Sequence, residues 1–330
     1  MIHSAIQIVG MLTWLLILII IVTRIWAVVA GRSRLSLYNR WVVVTGCDSG
    51  IGKGVMERLI ADEANVIALC FTEEGTQAAM DSGAKLAPCL DITDEDALRT
   101  TCTQVNTLCD GNLWGIVHNA GIVRAGFIEF QPLENYRDIM AVNFFAIVNL
   151  TQQLIPSLKA AQGRVVIVSS VDGIVSLPGN APYDASKFAV EAYADALRTE
   201  LSFWNMDVAV VNPSTMRTPL ALGFFDSTTK TWEQMNGIDP DGAWKQHWSR
   251  QWLDAYVDRS GSLLEQIAQD PAHAVKDIVH ALSAMKPKFR YLSGSAAKTM
   301  FYALWIMPER WSHWFKKGMI SPPPENADMH

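Results

Sequence analysis

The chain has 330 residues, a net charge of −6 and five cysteines with no CxxC or CxxH spacing among them. That charge balance, with no basic run in the body, argues against a nucleic-acid partner, and Cys47, Cys70, Cys89, Cys102 and Cys109 give neither a metal site nor a disulfide framework. Half of the residues are hydrophobic, which is high for a wholly soluble protein.

The first element accounts for that excess. Residues 5–23, AIQIVGMLTWLLILIIIVT, carry no charge over 19 positions, close to the roughly 20 needed to cross a bilayer core. A cleaved signal peptide is the competing reading, with Val28 and Ala30 as a passable cleavage site. The long apolar run and the lack of a basic leader favour a retained anchor over residues 1–35. Arg24, Arg32, Arg34 and Arg40 follow the span, and no Lys or Arg precedes it, which places the body on the cytosolic side.

From Trp41 short apolar runs alternate with stretches of helical spacing. WVVVTG (41–46), NVIALCF (65–71), KLAPCLD (85–91), LWGIVHNAG (113–121), GRVVIVSS (163–170) and MDVAVVNP (206–213) read as buried strands. Segments 51–63, 94–107, 134–160 and 184–204 read as helices. This alternation gives βαβ units, hence an α/β fold with a single doubly wound parallel sheet covered by helices on both faces. Such sheets bind ligands beyond the carboxyl ends of their strands, so the residues that follow each strand are the candidates.

TGCDSGIGKG (45–54) follows the first strand, with Gly46, Gly50 and Gly52 in a GxxxGxG spacing rather than GxGxxG. Glycines permit a tight turn and close approach of a pyrophosphate, and the next helix offers free N–H groups and a positive dipole end. A purely structural turn is the competing reading. Cys70, Phe71 and Thr72 follow the second strand. An acid there would hold the adenosine ribose and a base would hold a 2′-phosphate. Neither is present, and an uncompensated 2′-phosphate is poorly bound, so NAD is expected over NADP, with Lys53 as the residue that could reverse this. Asp91 follows the third segment and either serves the adenosine end or caps the helix near Asp94.

TGCDSGIG, HNAG (118–121), Asn143 of VNFF, VSS and YDASK occur in one order and spacing. Over roughly residues 38–295 they resemble the short-chain dehydrogenase/reductases. LWGIVHNAG, KFAVEAYADALRTEL and the late RYLSG are similar to the membrane-bound retinol and hydroxysteroid dehydrogenase branch, and D-3-hydroxybutyrate dehydrogenases resemble the chain nearly as well. The resemblance implies a Rossmann-type domain over 36–295, with a substrate loop at 219–262 and an aromatic tail at 296–330. It further implies a homodimer or homotetramer, and a single-pass protein of the endoplasmic reticulum membrane. Cofactor contacts implied by it are Gly46, Ser49, Gly50, Ile51, Gly52, Asp91, Asn119, Ala120, Gly121, Tyr183, Lys187, Pro213 and Thr218, the last as nicotinamide contact or helix cap. Two positions depart from the family pattern: His118 stands for the first asparagine of NNAG, and Ser214 for the glycine after Pro213.

The resemblance also implies Tyr183 as general acid/base, Lys187 as its helper, Ser170 as the substrate-orienting hydroxyl and Asn143 as holder of a relay water. The chemistry agrees. Moving a hydride between a carbinol carbon and nicotinamide requires moving a proton on the oxygen. A tyrosine with its ordinary pKa near 10 is too weakly acidic for this at neutral pH, and a cation at i+4 on the same helix face favours the phenolate.

Trp232, Trp244, Trp248 and Trp252 fall within 219–262, the last three spaced to share one helical face. Such a stripe is more often core, but in the segment expected to cover the substrate it suits a hydrophobic alcohol or its ketone or aldehyde, retinoid or steroid-like. A small hydroxy acid is the alternative, for which Lys230, Lys245 and Arg250 offer cations, and a non-catalytic membrane-bound binding module is the third. The segment MFYALWIMPERWSHWFKKGMI (300–320) is too short-runned to span and suits either the lipid interface or a buried cover.

Overall fold

The computed structural model describes residues 11–19, 22 and 33–319. Most of the expected anchor therefore lies outside the described residues; residues 11–19 are helical and exposed. One sheet holds β1 (Trp41–Thr45), β2 (Asn65–Leu69), β3 (Leu113–His118), β4 (Arg164–Val168), β5 (Asp207–Pro213) and β6 (Arg290–Ser293). Its order is β2-β1-β3-β4-β5-β6 and every pairing is parallel. The helices are α1 (Gly50–Ala61), α2 (Glu73–Asp81), α3 (Glu95–Leu108), α4 (Leu133–Ala160), α5 (Ala181–Leu201), α6 (Pro219–Leu222), α7 (Phe224–Ile238), α8 (Arg250–Ile267), α9 (Ala272–Ser283), α10 (Tyr302–Ile306) and α11 (Glu309–Lys317).

The strands are apolar on both faces because both faces are covered. Val42 and Val44 pack with Val55, Met56 and Leu59 of α1 and with Ile278 and Leu282 of α9. Val43, one residue out of phase, packs on the opposite side with Leu98 of α3, Leu150 and Leu154 of α4, and Val190 and Ala194 of α5. Among the described residues α4 alone is long and apolar enough to cross a membrane. Its Ile139, Leu150, Leu154 and Leu158 are buried in the body, so its apolarity serves the fold.

Two strand assignments change. KLAPCLD is not a ladder strand: it runs beside β2 and meets it only at the isolated bridges Ile67↔Leu86 and Cys70↔Cys89. Pro88 lies between them and has no N–H to continue a ladder. The sixth strand is instead the short RYLS of β6, paired with β5 from Val210↔Arg290 to Pro213↔Ser293. From β1 the chain winds outward to β2 on one side and to β3 on the other, so a crevice opens at the carboxyl ends where the two directions part.

Candidate active site

A cavity of about 910 Å³ occupies that crevice. Every site residue expected from the sequence lines it except Gly52 and Asn143. Gly52 is a correction. It stands behind the glycine turn, where a Cβ would overlap the Gly46 carbonyl oxygen and Asn119 Nδ2, so its glycine is required by close packing rather than by ligand contact. Gly46 has φ +70° and would bring a Cβ to 2.9 Å from Ala120 Cα. Asn119 ties the turn together from β3, donating from Nδ2 to the carbonyls of Thr45 (3.0 Å) and Gly46 (3.2 Å). The backbone N–H groups of Asn119 and Ala120 both donate to Thr45 Oγ1. Ser49, Gly50 and Ile51 then open α1 with its N-terminus facing the cavity.

The acid that the end of β2 lacks is supplied by the glycine turn itself. The Asp48 carboxylate accepts the N–H groups of Phe71 (3.0 Å) and Thr72 (2.8 Å) and the Thr72 hydroxyl (2.9 Å), and it lines the cavity. Sequence reasoning looked for this acid after β2 and missed it in TGCDSG. Lys53 lies on the outer side of α1, paired with Glu57 at 3.9 Å, and does not line the cavity. Asp91 lines it but caps no helix: its Oδ1 accepts the N–H and hydroxyl of Thr93, while Asp94 caps α3 through the N–H groups of Asp96 and Ala97.

At the other end β4 and α5 bring Ser170, Tyr183 and Lys187 together. Lys187 Nζ lies 5.4 Å from the centre of the Tyr183 ring and donates to the Val168 carbonyl at 2.9 Å. Burial lowers the Lys187 pKa to about 8 against the opposing pull of Glu191 and Asp172. Tyr183 does not show the expected depression. Burial pushes its phenol upward, the Asp172 charge adds to that, and a hydrogen bond with Ser170 opposes it. Ser170 is fixed by Asn212, whose Nδ2 donates to its carbonyl at 2.8 Å. Ser169 also lines the cavity, with its hydroxyl beneath Gly173. Asn143 sits in a wide π turn (Ala141–Phe145) within α4, fully buried. Its amide accepts from Ile122 N (2.8 Å) and donates to Ile122 O and Ser186 Oγ (3.0 Å each), clamping the loop after β3 to α5.

Thr218 lines the cavity and caps α6 by accepting from Ala221 N at 3.3 Å, so the helix-cap role is the one seen here. Ser214 lines the cavity as well, and both its N–H and its hydroxyl bond the Ser293 carbonyl of β6. His118 is buried against Thr151 (2.8 Å), and burial lowers its pKa to about 3, so it is a neutral packing group.

The tryptophan stripe is a second correction. Trp244 lies in a short 3₁₀ turn and α8 begins only at Arg250, so no single helix carries the stripe. Trp232, Trp244 and Trp252 form a core with Phe127 and Phe130, and none of the four tryptophans lines the cavity. Its apolar wall is made instead by Phe224, Phe225, Tyr256, Leu264 and Phe301, with Leu263, Ile267 and Met319 exposed at its rim. Lys230, Lys245 and Arg250 do not line it either, whereas Arg124 does. The tail packs Ser312 inward and exposes Trp311 and Trp314.

The short chain dehydrogenase family model matches residues 40–227. Human dehydrogenase/reductase SDR family member 9 is 31% identical over 306 residues, covering 90% of this chain and 93% of that protein. Mouse retinol dehydrogenase 7 is 33% identical (82% and 86% covered), and bovine 17-beta-hydroxysteroid dehydrogenase type 6 is 30% identical (82% and 86%). Among solved structures, a short-chain dehydrogenase from Streptomyces avermitilis superposes with a TM-score of 0.67 at 23% identity, over 86% of this chain and 99% of that one. One from Burkholderia cenocepacia in complex with NADP gives 0.63 at 21%, over 87% and 100%. These two bear on the fold alone.

Proposed function

The chain belongs to the short chain dehydrogenase family, and from that premise we propose that it is a membrane-bound, NAD-dependent dehydrogenase of a hydrophobic alcohol, retinoid or steroid-like. The observation that carries this reading is one cavity joining the glycine turn at one end to Ser170, Tyr183 and Lys187 at the other, under an apolar wall. The glycine turn, the α1 N-terminus and Asp48 would hold the dinucleotide, which supplies the hydride acceptor when bound. Tyr183 takes the alcohol proton, Ser170 orients the alcohol oxygen, and Lys187 supplies positive charge beside the phenol. The apolar run at residues 5–23 and the exposed Trp311 and Trp314 support attachment to a membrane.

The test is a substrate panel on membrane fractions, scored by NADH formation: all-trans-retinol, a 17β-hydroxysteroid and D-3-hydroxybutyrate. The first or second is expected to be oxidised far faster. Arg124 is the cation that could serve a hydroxy acid, so preferential oxidation of D-3-hydroxybutyrate would overturn the substrate class.

NAD preference rests on Asp48. Like charges about 5 Å apart at an effective dielectric of about 20 repel by about 3 kcal/mol, so an anion at the ribose end disfavours a 2′-phosphate. Asp48→Asn is expected to raise the NADP-to-NAD ratio of kcat/KM by about 100-fold. Wild-type preference for NADP would refute the assignment.

A further inference from the structure

Glu191 lies one helical turn beyond Lys187 on α5, and the mechanism above gives it no role. It is buried. Asn212 of β5, wholly buried, donates from Nδ2 both to Glu191 Oε1 (2.6 Å) and to the Ser170 carbonyl (2.8 Å). Its Oδ1 accepts from the Arg290 guanidinium of β6 at 2.8 Å, and the same guanidinium lies 2.7 Å from Glu191 Oε2. The three side chains close a ring. A carboxylate and a carbonyl only accept and a guanidinium only donates, so the Asn212 amide fits this ring one way round.

Two further contacts tie the ring to the reactive end of the cavity. The turn that follows Ser170, Val171–Gly173, is pressed onto α5 beside Glu191: a Cβ on Gly173 would stand 3.1 Å from both Glu191 Cγ and the Lys187 carbonyl oxygen. Ser170 is thus held by its own carbonyl and by the turn after it, and both holds lead to Glu191. On the other side, Lys187 and Glu191 are four residues apart and share one face of α5, which sets a buried carboxylate one turn from the buried ammonium. An ion pair as buried as Glu191 with Arg290 adds little stability over apolar residues of the same volume, so stability alone is a weak reason for it.

We propose that Glu191 is a positioning residue: through Asn212 it fixes the main chain of Ser170, and its charge holds the Lys187 ammonium beside Tyr183. The inference rests on the proposed dehydrogenase activity. The charged and titratable groups facing Lys187 are Tyr183 and Glu191 from α5 and Asp172 from the turn after β4, and Arg290 of β6 faces Glu191 from behind. Burial lowers the Lys187 pKa to about 8, and Glu191, ahead of Asp172, opposes that fall. Loss of the Glu191 charge therefore lets Lys187 release its proton at a lower pH.

The experiment measures retinol oxidation in membranes from pH 6 to 9.5 by wild type, Glu191→Gln and Glu191→Asp, with cyclohexanol as a second alcohol that lacks the apolar body. Glu191→Gln keeps the reach to Asn212 and removes the charge; Glu191→Asp keeps the charge and shortens the reach. The alkaline fall of kcat/KM for NAD reports Lys187 in the free enzyme. It is expected near pH 8 in wild type and in Glu191→Asp, and about one unit lower in Glu191→Gln. Glu191→Asp is expected to lose about 10-fold in kcat at pH 7 with KM for NAD little changed, because a loosened Ser170 misplaces the alcohol. Should Glu191→Gln fail to fold with Arg290 unpaired, Glu191→Gln with Arg290→Gln carries the same test, since Glu191 rather than Arg290 acts on Lys187. A merely structural role would lower the rate alike at every pH. That result, or variants that keep the wild-type rate and pH profile, overturns the proposal. A wild type that oxidises neither alcohol overturns the proposed activity instead.

Discussion

Tyr183→Phe is expected to lower turnover by about 10²–10⁴-fold while leaving NAD affinity within a few fold, because the ring stays and only the transferable proton leaves. The structure sharpens why the loss should be near the upper end. Burial and the Asp172 charge both push the phenol upward, and neither Ser170 nor Lys187 beside it carries a phenolic hydroxyl to substitute for it. Ser170 has an alkyl hydroxyl and Lys187 donates to the Val168 carbonyl. NADH formation at saturating alcohol reads the rate, and quenching of tryptophan fluorescence by NAD reads the affinity. A variant keeping a third of wild-type activity would sink the assignment of Tyr183, and with it the reading of Ser170 and Lys187 as its partners.

What was legible in the sequence is what depends on short-range spacing. The glycine turn could be read because Gly46 and Gly52 answer to steric demands of a single turn. Tyr183 and Lys187 could be read because i and i+4 share a helix face. The misses are contacts made across the fold. Asp48 reaches the backbone of Phe71 and Thr72, 23 and 24 residues away, so an acid sought after β2 was hidden inside the turn. The tryptophans had helical spacing without the helix: α8 begins past Trp248, and the rings found each other in a core beside the cavity. β6 escaped because four residues with Arg290 and Ser293 at their ends carry no apolar run, and its register comes from β5. Tyr183 was expected to be acidified by Lys187, an argument from charge alone. Burial, with the Asp172 charge behind it, sets the direction instead, which only the surrounding protein could reveal.

Lys187→Met is expected to separate catalysis from stability in opposite directions. On the catalytic side it removes the cation beside Tyr183, so both the rate and the affinity for NAD should fall, kcat/KM by about 10³-fold or more. On the stability side the wild-type lysine is a liability. Its side chain is 3% exposed, and burial lowers its pKa to about 8 from the ordinary 10.5. Between those values the unfolded chain binds the proton that the folded chain has released, so wild-type stability rises with pH across that window. Below about pH 8 the penalty is present in full and amounts to about 3 kcal/mol. Methionine fills a similar volume without charge, at the loss of the hydrogen bond to the Val168 carbonyl, about 1–2 kcal/mol. The balance favours the variant by about 1–2 kcal/mol at pH 7, a rise of a few degrees in Tm, and it should reverse by about pH 10.5, where the penalty is nearly gone and the lost hydrogen bond remains. Thermal unfolding of detergent-solubilised wild type and variant at pH 7 and pH 10.5 measures it. A variant less stable than wild type at pH 7 would mean that the buried ammonium is compensated by Glu191 and Asp172 more fully than its lowered pKa implies. An inactive variant that melts higher would instead show that the site holds its charge against the preference of the fold.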